Sequence, residues 1–469
     1  MSSRQASTRF TAPGYACQTL KAVPDLADLH ALNPARYPHL LESVAHGTPQ
    51  ARFDILFAFP GETLTLDSSR RLVRDGHSLG PRRFLDAFDD AWRHHAGAGE
   101  RAPAAAAPPF TGGWFVFLAY ELATEIEPVL GATAPDPALP LALATRFPVA
   151  VIRDHTTQTT MLVCETDRQQ ELMPLLRADL ERAQRAEPRP LQVADVQEDD
   201  PQEFLAGVRR IGDYIRAGDV FQVNLSREWR ARIAAPVAAV DIYRRLRACN
   251  PAPFAGLMTL AGGRAVISSS PERLAQVHAG RLRTRPIAGT YPRSADPVLD
   301  RGLSQDLLAH PKERAEHIML IDLERNDLGR VCRSGSVRVP ELMVLESYRH
   351  VHHIVSEVTG ELRAGVTPAQ VLRAVFPGGT ITGCPKVRCM QIIAELERAP
   401  RGAYTGSMGY INHDGSMDLN ILIRTLVQDG NEIRLRAGAG IVADSVPERE
   451  LSETRAKAKG LLAALGAAA

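Results

Sequence analysis

Two glutamates and a lysine recur at helical spacing near the end of the chain. Glu450, Glu453 and Lys457 lie three and four residues apart, in a segment that reads as a strand, a turn and a helix. This spacing places the three side chains along one stripe of an α-helix. Such a stripe can bind a cation or a carboxylate ligand. On an isolated helix, however, an ordinary solvent-exposed Glu–Lys pair is the commoner outcome.

A second pair of acids lies on another predicted helix, over residues 311–328. Glu313 and Glu316 are three residues apart, and the apolar residues that follow them predict a half-buried helix. Two carboxylates on one half-buried stripe repel each other unless a cation lies between them. Together with Glu450 and Glu453, they would form an oxygen-only site of the kind that suits Mg²⁺. From spacing alone, separate surface charges explain the two pairs equally well.

Three further features could bind or protonate a small acid. Glu272 ends a predicted strand, and Arg424 lies inside an apolar run, 420–425, that predicts a strand. A buried arginine needs an anion. The glycine-rich loop 376–386 precedes a predicted helix, so its backbone amides can hold a carboxylate, although it lacks the register of a nucleotide-binding P-loop. The whole set suits a small substrate that carries more than one carboxylate.

The composition is that of an ordinary globular protein. The chain has 469 residues and a formal net charge of +1, so no overall field favours nucleic acid or a membrane surface. We find no apolar run long enough to span a membrane and no signal-peptide pattern, and we therefore expect a cytoplasmic protein. The six cysteines lack the spacing of zinc or redox motifs, which predicts reduced thiols.

The elements that must position these residues predict an α+β fold. Strand runs and helix runs mix without a regular βαβ rhythm. A polar, acidic stretch at 186–202 predicts a boundary between a strand-rich part, 1–185, and a catalytic part, 200–469, packed as one compact unit.

The sequence also makes three local predictions. Residues 62–66 pair with 52–59 as a hairpin, residues 404–436 form one meander, and Asp444 or Ser445 caps the last helix.

Five motifs in a fixed order resemble the chorismate-utilising family, which includes the first components of anthranilate synthase and aminodeoxychorismate synthase and the isochorismate and salicylate synthases. The motifs are Ser-Pro-Glu at 270–272, Pro-Ile-Ala-Gly-Thr at 286–290, the acidic helix at 312–327, the glycine-rich loop at 379–386 and the final segment at 444–457. The resemblance implies a large two-sheet core, like a β-sandwich, flanked by helices.

The resemblance also implies a metal and an acid. Glu316 and Glu453 would bind Mg²⁺, and Glu313 and Glu450 would support the metal and its waters. Glu272 would be the general acid that protonates the departing C4 hydroxyl of chorismate. Such an acid matters because hydroxide is a poor leaving group.

The remaining implied roles concern the substrate. Tyr404 and Arg424 would bind the enolpyruvyl carboxylate, and His353 would lie near the enolpyruvyl ether. The ring would be placed by a group of residues from four segments, namely Thr290, Thr380, Gly440 and Lys457.

Three features bear on the member of the family. Val223 and Asn224, the adjacent His352 and His353, and the glycine-rich loop resemble aminodeoxychorismate synthase component I, which we favour. Ala288 departs from that pattern, because well-studied members carry a lysine there that is proposed to attack C2 of chorismate. Alanine at this position resembles anthranilate synthase component I, the alternative. A non-catalytic regulator that binds chorismate or tryptophan is a weaker alternative.

Two partners are implied. No glutaminase triad is recognisable in the chain, so the resemblance implies a separate glutamine amidotransferase subunit that delivers ammonia. Leu41, Glu42 and Ser43 resemble the tryptophan-binding element of feedback-inhibited anthranilate synthases. An ordinary junction between a helix and a strand explains these three residues equally well.

Overall fold

Two large β-sheets form the core of the protein. The computed structural model describes residues 8–12, 14–21, 23–45, 51–96, 107–131, 133–185, 191–294, 296–347 and 351–467. Within this part, one sheet has 13 strands and the other has 12, and neighbouring strands run antiparallel. Helices flank the sheets. The predicted α+β fold with a two-sheet core is confirmed.

The strands are short and numerous. In chain order they are β1 (Thr8–Ala12), β2 (Tyr15–Leu20), β3 (His39–Glu42), β4 (Phe53–Ala58), β5 (Thr63–Leu66), β6 (Leu72–Arg74), β7 (His77–Ser78), β8 (Gly113–Leu118), β9 (Ala142–Phe147), β10 (Val149–Asp154), β11 (Thr159–Glu165), β12 (Val193–Glu198), β13 (Gln222–Ile233), β14 (Phe254–Leu260), β15 (Arg264–Ser270), β16 (Arg273–His278), β17 (Arg281–Thr284), β18 (Ile287–Pro292), β19 (Arg338–Ser347), β20 (Val351–Glu361), β21 (Gly383–Cys384), β22 (Ser407–Asn412), β23 (Met417–Asn420), β24 (Thr425–Asp429) and β25 (Glu432–Ile441).

The α-helices are distributed along the whole chain. They are α1 (Leu26–Leu32), α2 (Phe84–His95), α3 (Ala123–Ile126), α4 (Gln169–Arg182), α5 (Pro201–Arg216), α6 (Ala239–Cys249), α7 (Pro297–Ala309), α8 (Pro311–Gly329), α9 (Pro368–Val375), α10 (Lys386–Glu397) and α11 (Pro447–Leu465). Among the described helices, none is both long and apolar enough to cross a membrane. All six cysteines are free thiols, as predicted.

Strands from early and late parts of the chain share both sheets. The first sheet has the order β1-β2-β11-β10-β4-β3-β14-β15-β24-β25-β13-β12, with β21 beside β13. The second has the order β18-β20-β17-β16-β23-β22-β8-β9-β5-β6-β7, with β19 beside β20. Strand β12 lies inside the polar stretch 186–202 and pairs with β13. Residues 186–190 of that stretch lie outside the described part.

The predicted hairpin between 52–59 and 62–66 is wrong. Strand β4 pairs with β3 and β10 in the first sheet, whereas β5 pairs with β6 and β9 in the second. The chain leaves the first sheet at Phe59, which has a φ of +61°. The alternation of Ile55 and Phe57 with Leu56 correctly indicates a strand, but both of its faces are buried. Hydrophobic periodicity indicates which side chains are buried, but it does not identify the neighbouring strand.

The predicted single meander over 404–436 is also wrong. Strands β22 and β23 belong to the second sheet, and β24 and β25 belong to the first. Residues 421–424 cross between the sheets, and Ile421 and Leu422 are buried there. Because the crossing segment is apolar, its sequence resembles that of a buried strand. Arg424 therefore lies at the end of a crossing and not within a strand, with a φ of +53° that is uncommon for a residue with a side chain.

Side-chain caps are present at the N-termini of some described helices and absent from others. Asp200 caps α5, and Thr367 caps α9 in a reciprocal capping box with Gln370. The predicted cap of α11 by Asp444 or Ser445 is wrong, because Val446 occupies the cap position and Pro447 starts the helix. The Ser445 hydroxyl instead accepts a hydrogen bond from the Val442 amide and closes the preceding turn.

Candidate active site

Glu272 is a buried carboxyl just beyond the end of β15. The Thr380 hydroxyl donates a hydrogen bond of 2.6 Å to its Oε1 atom. Burial raises the pKa of Glu272 to about 7, against the opposing effects of the Thr380 hydrogen bond and the positive charge of Lys457. At neutral pH a substantial fraction of Glu272 therefore carries a proton. This is the property required of the predicted general acid.

Lys457 links α11 to β25. Its ammonium lies 2.6 Å from the Glu453 carboxylate and donates a hydrogen bond of 2.9 Å to the carbonyl of Gly438. Glu453 is 48% exposed at the side chain, so the pair is open to solvent. The predicted stripe on α11 is thus present, and the lysine neutralises one of its two acids.

Arg424 and Tyr404 lie beside this pair. The Arg424 guanidinium donates a hydrogen bond to the carbonyl of Lys457. Burial lowers the pKa of Arg424 to about 10, while Tyr404 and the Glu453 charge act in the opposite direction. Burial raises the pKa of Tyr404 to about 12, and its hydroxyl lies 3.5 Å from Oδ1 of Asn224. At neutral pH these two neighbouring side chains are therefore a cationic guanidinium and an un-ionised phenol.

The two histidines of β20 point to opposite faces and differ in role. His353 shares a hydrogen bond of 3.3 Å between Nδ1 and the carbonyl of Gly289, and burial lowers the pKa of its imidazole to about 4. It is therefore neutral at physiological pH, and the charge of Arg424 acts on it. His352 lies 2.7 Å from the Ser347 hydroxyl and 3.0 Å from Asp300, so its contacts are structural.

Strand β18 runs beside His353. Ala288 pairs with Ile354, and Thr290 pairs with His353. The Thr290 side chain lies outside the described part of the structure, so its predicted contact stays a prediction. Between them, Gly289 has a φ of +63°, and a Cβ atom there would lie 2.9 Å from Oε2 of Glu313. Glycine at this position thus lets α8 bring Glu313 close to the strand that contacts His353.

The four glutamates predicted to bind Mg²⁺ lie on two helices. Glu313 and Glu316 are half-buried on α8, whereas on α11 Glu450 is half-buried and Glu453 is exposed. Their carboxylate oxygens fit Mg²⁺ in kind. However, within the described residues no three histidine, cysteine, aspartate or glutamate side chains come close enough together to hold a metal ion. The metal therefore stays a prediction.

Gly440 faces an amide side chain that the sequence patterns did not single out. A Cβ atom at Gly440 would collide with Nε2 of Gln222 on the neighbouring strand β13. Gln222 is 7% exposed, and its Oε1 atom has no hydrogen-bond partner among the described residues. Gln222 could have been selected from the sequence, because it lies two residues before Asn224 and the two amide side chains therefore share one face of strand β13.

Leu41, Glu42 and Ser43, the residues of the predicted tryptophan element, line a cavity of about 80 Å³, and Glu42 and Ser43 also line a second cavity of about 870 Å³. The other walls of the smaller cavity include apolar side chains from both sheets, among them Phe53, Ile55, Phe254, Met408 and Tyr410. The Glu42 carboxylate accepts a hydrogen bond of 2.6 Å from the Tyr243 hydroxyl and lies 3.1 Å from Arg247. Glu42 is therefore already paired within the protein.

Comparison with known proteins agrees with this architecture. Residues 43–463 match the family model described as chorismate binding enzyme. Anthranilate synthase component 1 of Thermus thermophilus is 41% identical over 454 residues, which cover 94% of this chain and 95% of that protein. Aminodeoxychorismate synthase component 1 of Bacillus subtilis is 40% identical over 368 residues, with coverages of 76% and 78%.

A solved structure gives the same result. The crystal structure of anthranilate synthase component I from Streptococcus pneumoniae superposes with a TM-score of 0.76 at 32% identity, covering 89% of this chain and 93% of that one. The chain therefore belongs to the chorismate-binding enzymes. The predicted membership of the chorismate-utilising family is confirmed.

Proposed function

We propose that the protein is aminodeoxychorismate synthase component I. It would aminate chorismate to 4-amino-4-deoxychorismate, the precursor of 4-aminobenzoate and folate. The observation that carries this proposal is the position of Asn224, whose side chain lies beside Tyr404 in the cleft. The strand that carries Asn224 resembles aminodeoxychorismate synthases in sequence, and a relative of that name is 40% identical.

The acid chemistry supports an amination that expels the C4 hydroxyl. Hydroxide leaves poorly, so a proton must reach the oxygen as the carbon–oxygen bond breaks. Glu272 is the candidate donor, because it is buried and its pKa is raised to about 7. The hydrogen bond from Thr380 to Oε1 fixes the carboxyl group and leaves Oε2 to carry the proton.

The charges of the cleft support a dicarboxylate substrate. Arg424 and Lys457 contribute two cationic groups on adjacent segments, joined by the hydrogen bond from Arg424 to the Lys457 carbonyl. Arg424 and Tyr404 would bind the enolpyruvyl carboxylate. Lys457, Thr380 and the space at Gly440 would place the ring carboxylate, and neutral His353 would face the ether oxygen. An arginine provides paired donors that match a carboxylate in geometry.

Mg²⁺ and a glutamine amidotransferase subunit are parts of the same proposal. Mg²⁺ would be held by Glu316 and Glu453, supported by Glu313 and Glu450, and would withdraw electrons from the substrate. The expectation of a partner subunit rests on the word component in the names of the relatives and on the resemblance of the sequence. That subunit would supply ammonia from glutamine.

Ala288 favours a second candidate, anthranilate synthase component I. A methyl group cannot attack C2 of chorismate, so ammonia would have to add to the ring directly or another nucleophile would have to serve. Direct addition of ammonia at C2 leads toward anthranilate. The relatives from T. thermophilus and S. pneumoniae carry that name.

Identification of the product separates the two candidates. The purified protein is supplied with chorismate, Mg²⁺ and ammonium, with and without an aminodeoxychorismate lyase. We expect 4-aminobenzoate, detected by mass, only when the lyase is present. Fluorescent anthranilate without the lyase would establish the second candidate instead. Binding of chorismate without any turnover would contradict both and support a non-catalytic regulator.

A further inference from the structure

A buried carboxyl from the early part of the chain contacts the turn that carries Tyr404. Glu121 follows strand β8 and is 3% exposed. Its Oε1 atom accepts a hydrogen bond of 2.7 Å from the backbone amide of Arg401, 280 residues further along the chain. The backbone amide of Gly402 lies 3.3 Å from Oε1 and 3.2 Å from Oε2 and donates to this carboxyl as well. Glu121 thus binds two consecutive amides, and it has no role in the proposed reaction.

The same turn is fixed by two further backbone hydrogen bonds. The amide of Tyr404 donates a hydrogen bond of 3.0 Å to the carbonyl of Arg401, which closes the turn over residues 401–404. The amide of Tyr120 donates a hydrogen bond of 2.9 Å to the carbonyl of Gly402. Two adjacent residues after β8 therefore bind both the amide and the carbonyl of Gly402. The position of the turn, and with it that of Tyr404, depends on this segment.

The contact between Glu121 and the turn does not require a charge on the carboxyl. Burial raises the pKa of Glu121 to about 7, hydrogen bonds from backbone amides oppose this effect, and the charge of Asp136 adds to it. A fraction of Glu121 therefore carries a proton at neutral pH. Because both amides of the turn reach Oε1, this oxygen accepts both hydrogen bonds while Oε2 carries the proton. The amide group of a glutamine has the same acceptor oxygen.

We infer that Glu121 is a positioning residue that fixes Tyr404 for binding of the substrate. This inference rests on the proposed role of Tyr404 in binding the enolpyruvyl carboxylate. The Tyr404 hydroxyl lies 3.5 Å from Oδ1 of Asn224, and it would lie 2.6 Å from a Cβ atom at Gly438. The hydroxyl therefore fits closely against β13 and β25. Removal of the Glu121 carboxyl would leave two buried amides without this acceptor, and the turn would have to move to find another.

The test compares the steady-state kinetics of Glu121→Met, Glu121→Gln and the unaltered protein with chorismate, Mg²⁺ and ammonium. Methionine is unbranched like glutamate but lacks the acceptor oxygens. We expect the KM for chorismate to rise roughly tenfold in Glu121→Met, while kcat changes by less than about twofold, because a contact made equally in the ground state and the transition state affects KM alone. Glu121→Gln should keep KM within about twofold of the unaltered protein. A loss of kcat without a rise in KM in Glu121→Met would overturn the inference.

The matched control is Glu125→Met. Glu125 is half-buried on α3 and accepts a hydrogen bond of 2.9 Å from the amide of Phe84, at the start of α2. This substitution also removes the acceptor of a backbone amide, but α2 carries no residue of the candidate site. It should leave KM unchanged. An equal rise of KM in Glu121→Met and Glu125→Met would show a general loss of stability and overturn the inference.

A double substitution shows whether Glu121 acts through Tyr404. If it does, Glu121→Met should raise KM by less than about twofold in the Tyr404→Phe background, because the hydroxyl that it positions is absent there. A tenfold rise that persists in this background would overturn the inference.

A further readout does not depend on turnover. The protein is prepared with tyrosine labelled with ¹³C at Cζ, and comparison with Tyr404→Phe identifies the NMR signal of Tyr404. We expect this signal to shift in Glu121→Met and to keep its position in Glu121→Gln and Glu125→Met. Where Glu121→Met does not fold, Glu121→Asp, which withdraws the acceptor oxygens by one carbon, should give a smaller shift. An unmoved signal in the folded variant would overturn the inference. If the unaltered protein does not consume chorismate, the proposed function fails, while this spectrum still decides the role of Glu121.

Discussion

The Lys457 ammonium lies 2.6 Å from the carboxylate of Glu453, one helical turn before it. In this arrangement the lysine neutralises a glutamate that is predicted to bind Mg²⁺. A divalent ion at Glu453 would have to compete with the ammonium or share the carboxylate with it. The ion pair therefore joins the predicted metal site to the predicted binding site for the substrate carboxylate. Substitutions of glutamates on α8 and α11 can distinguish the roles of these two sites.

We predict that Glu316→Gln and Glu453→Gln each abolish Mg²⁺-dependent turnover while leaving the fold intact. Each change removes one negative charge from a site made only of carboxylates, and Mg²⁺ needs such charged oxygens. The measurement is the rate of chorismate consumption against Mg²⁺ concentration, with circular dichroism as the check of folding. The unaltered protein should lose activity on addition of a chelator and recover it with Mg²⁺.

Glu448→Gln is the control for this prediction. Glu448 lies in the first turn of the same helix, and its side chain is 66% exposed and 3.7 Å from Arg209. Its loss should leave the Mg²⁺ dependence unchanged. Unaltered rates in either Glu316→Gln or Glu453→Gln would remove the metal assignment.

We predict that Thr380→Val slows turnover and moves the alkaline limb of the pH profile upward. The Thr380 hydroxyl stabilises the ionised form of Glu272, so its removal raises the pKa of Glu272 above about 7. The acid is active when protonated, and its activity is lost as the pH rises through that pKa. A hydrogen bond to a charged group contributes about 1.5–3 kcal/mol, so kcat/KM should fall roughly ten- to a hundredfold below the limb.

Thr380→Ser keeps the hydroxyl and is the control. It should retain both the rate and the position of the limb, because a serine can donate the same hydrogen bond. A limb that moved downward in Thr380→Val would contradict the assigned direction of the hydrogen bond's effect on Glu272.

We predict that chorismate forms no covalent adduct at position 288 of the unaltered protein, and that Ala288→Lys creates one. Ala288 lies on β18, whose Gly289 carbonyl shares a hydrogen bond with His353. A lysine amine could attack C2, shift the ring double bond and expel the C4 hydroxyl as water with the proton from Glu272. Mass spectrometry of the quenched protein should then show a gain of one chorismate less one water.

Ala288→Met, which has a side chain of similar length without a nucleophile, should remain unmodified. An adduct mapped to another side chain of the unaltered protein would reveal the nucleophile that replaces the missing lysine.

Part of this architecture could be predicted from local rules. The caps at Asp200 and Thr367 follow from side chains that bond the first turn of their own helix, so neighbouring residues suffice. The crossing that ends at Arg424 could not be predicted in this way. Its apolar residues are buried between two sheets, and a sequence pattern records burial without recording which sheet provides it.

The candidate site, like the fold, could be predicted from the sequence only in part. The ordered motifs correctly indicated the family, and Glu272 and Thr380, from distant motifs, are in contact. The ion pair between Lys457 and Glu453 follows from helical spacing, but their joint contact with the region of Arg424 and Gly438 depends on how α11 packs against β25. Gln222 was not selected because an amide in a strand is unremarkable until its unpaired oxygen is seen to be buried.

We predict that tryptophan does not bind in the smaller, apolar cavity beside Leu41, Glu42 and Ser43, which is distinct from the cavity of about 870 Å³ that Glu42 and Ser43 also line. The cavity lined by Leu41, Glu42 and Ser43 has a volume of about 80 Å³. An engineered cavity that binds benzene, which is smaller than an indole, has a volume of about 150 Å³. The measurement is chorismate consumption at saturating tryptophan, together with calorimetric titration of tryptophan into the protein.

Met408→Ala tests the reason for this prediction. Met408 lines the cavity, and its methyl group would lie 2.6 Å from a Cβ atom at Gly256. Shortening it should enlarge the cavity and increase the affinity for tryptophan. Strong inhibition of the unaltered protein by tryptophan that Met408→Ala leaves unchanged would place the ligand in the larger cavity beside Glu42 and Ser43 and contradict the assignment of the predicted element to the smaller one.

A buried ion-pair network supports Tyr404 from behind. Glu397 is 2% exposed at the side chain and lies 2.6 Å from Arg401 and 3.3 Å from Arg436. Ser226 donates two hydrogen bonds of 2.8 Å to the same carboxylate. The Arg401 guanidinium lies 4.9 Å from the ring of Tyr120 and 5.5 Å from the ring of Tyr404. The network therefore connects a buried charge to a residue proposed to bind substrate.

We predict that Glu397→Gln lowers the free energy of unfolding by about 3–5 kcal/mol, because it leaves the buried Arg401 without its carboxylate and Arg436 with only the Glu228 carboxylate at 3.5 Å. Urea denaturation measures this change. The KM for chorismate should rise as well, since Arg401 would no longer be held against Tyr404.

Glu395→Gln on the same helix is the control. Glu395 is 48% exposed and lies 4.0 Å from Arg210, so its loss should change the free energy of unfolding by less than about 1 kcal/mol. Equal unfolding midpoints in the two variants would show that solvent or rearrangement compensates the buried charges, and an unchanged KM in Glu397→Gln would separate the network from substrate binding.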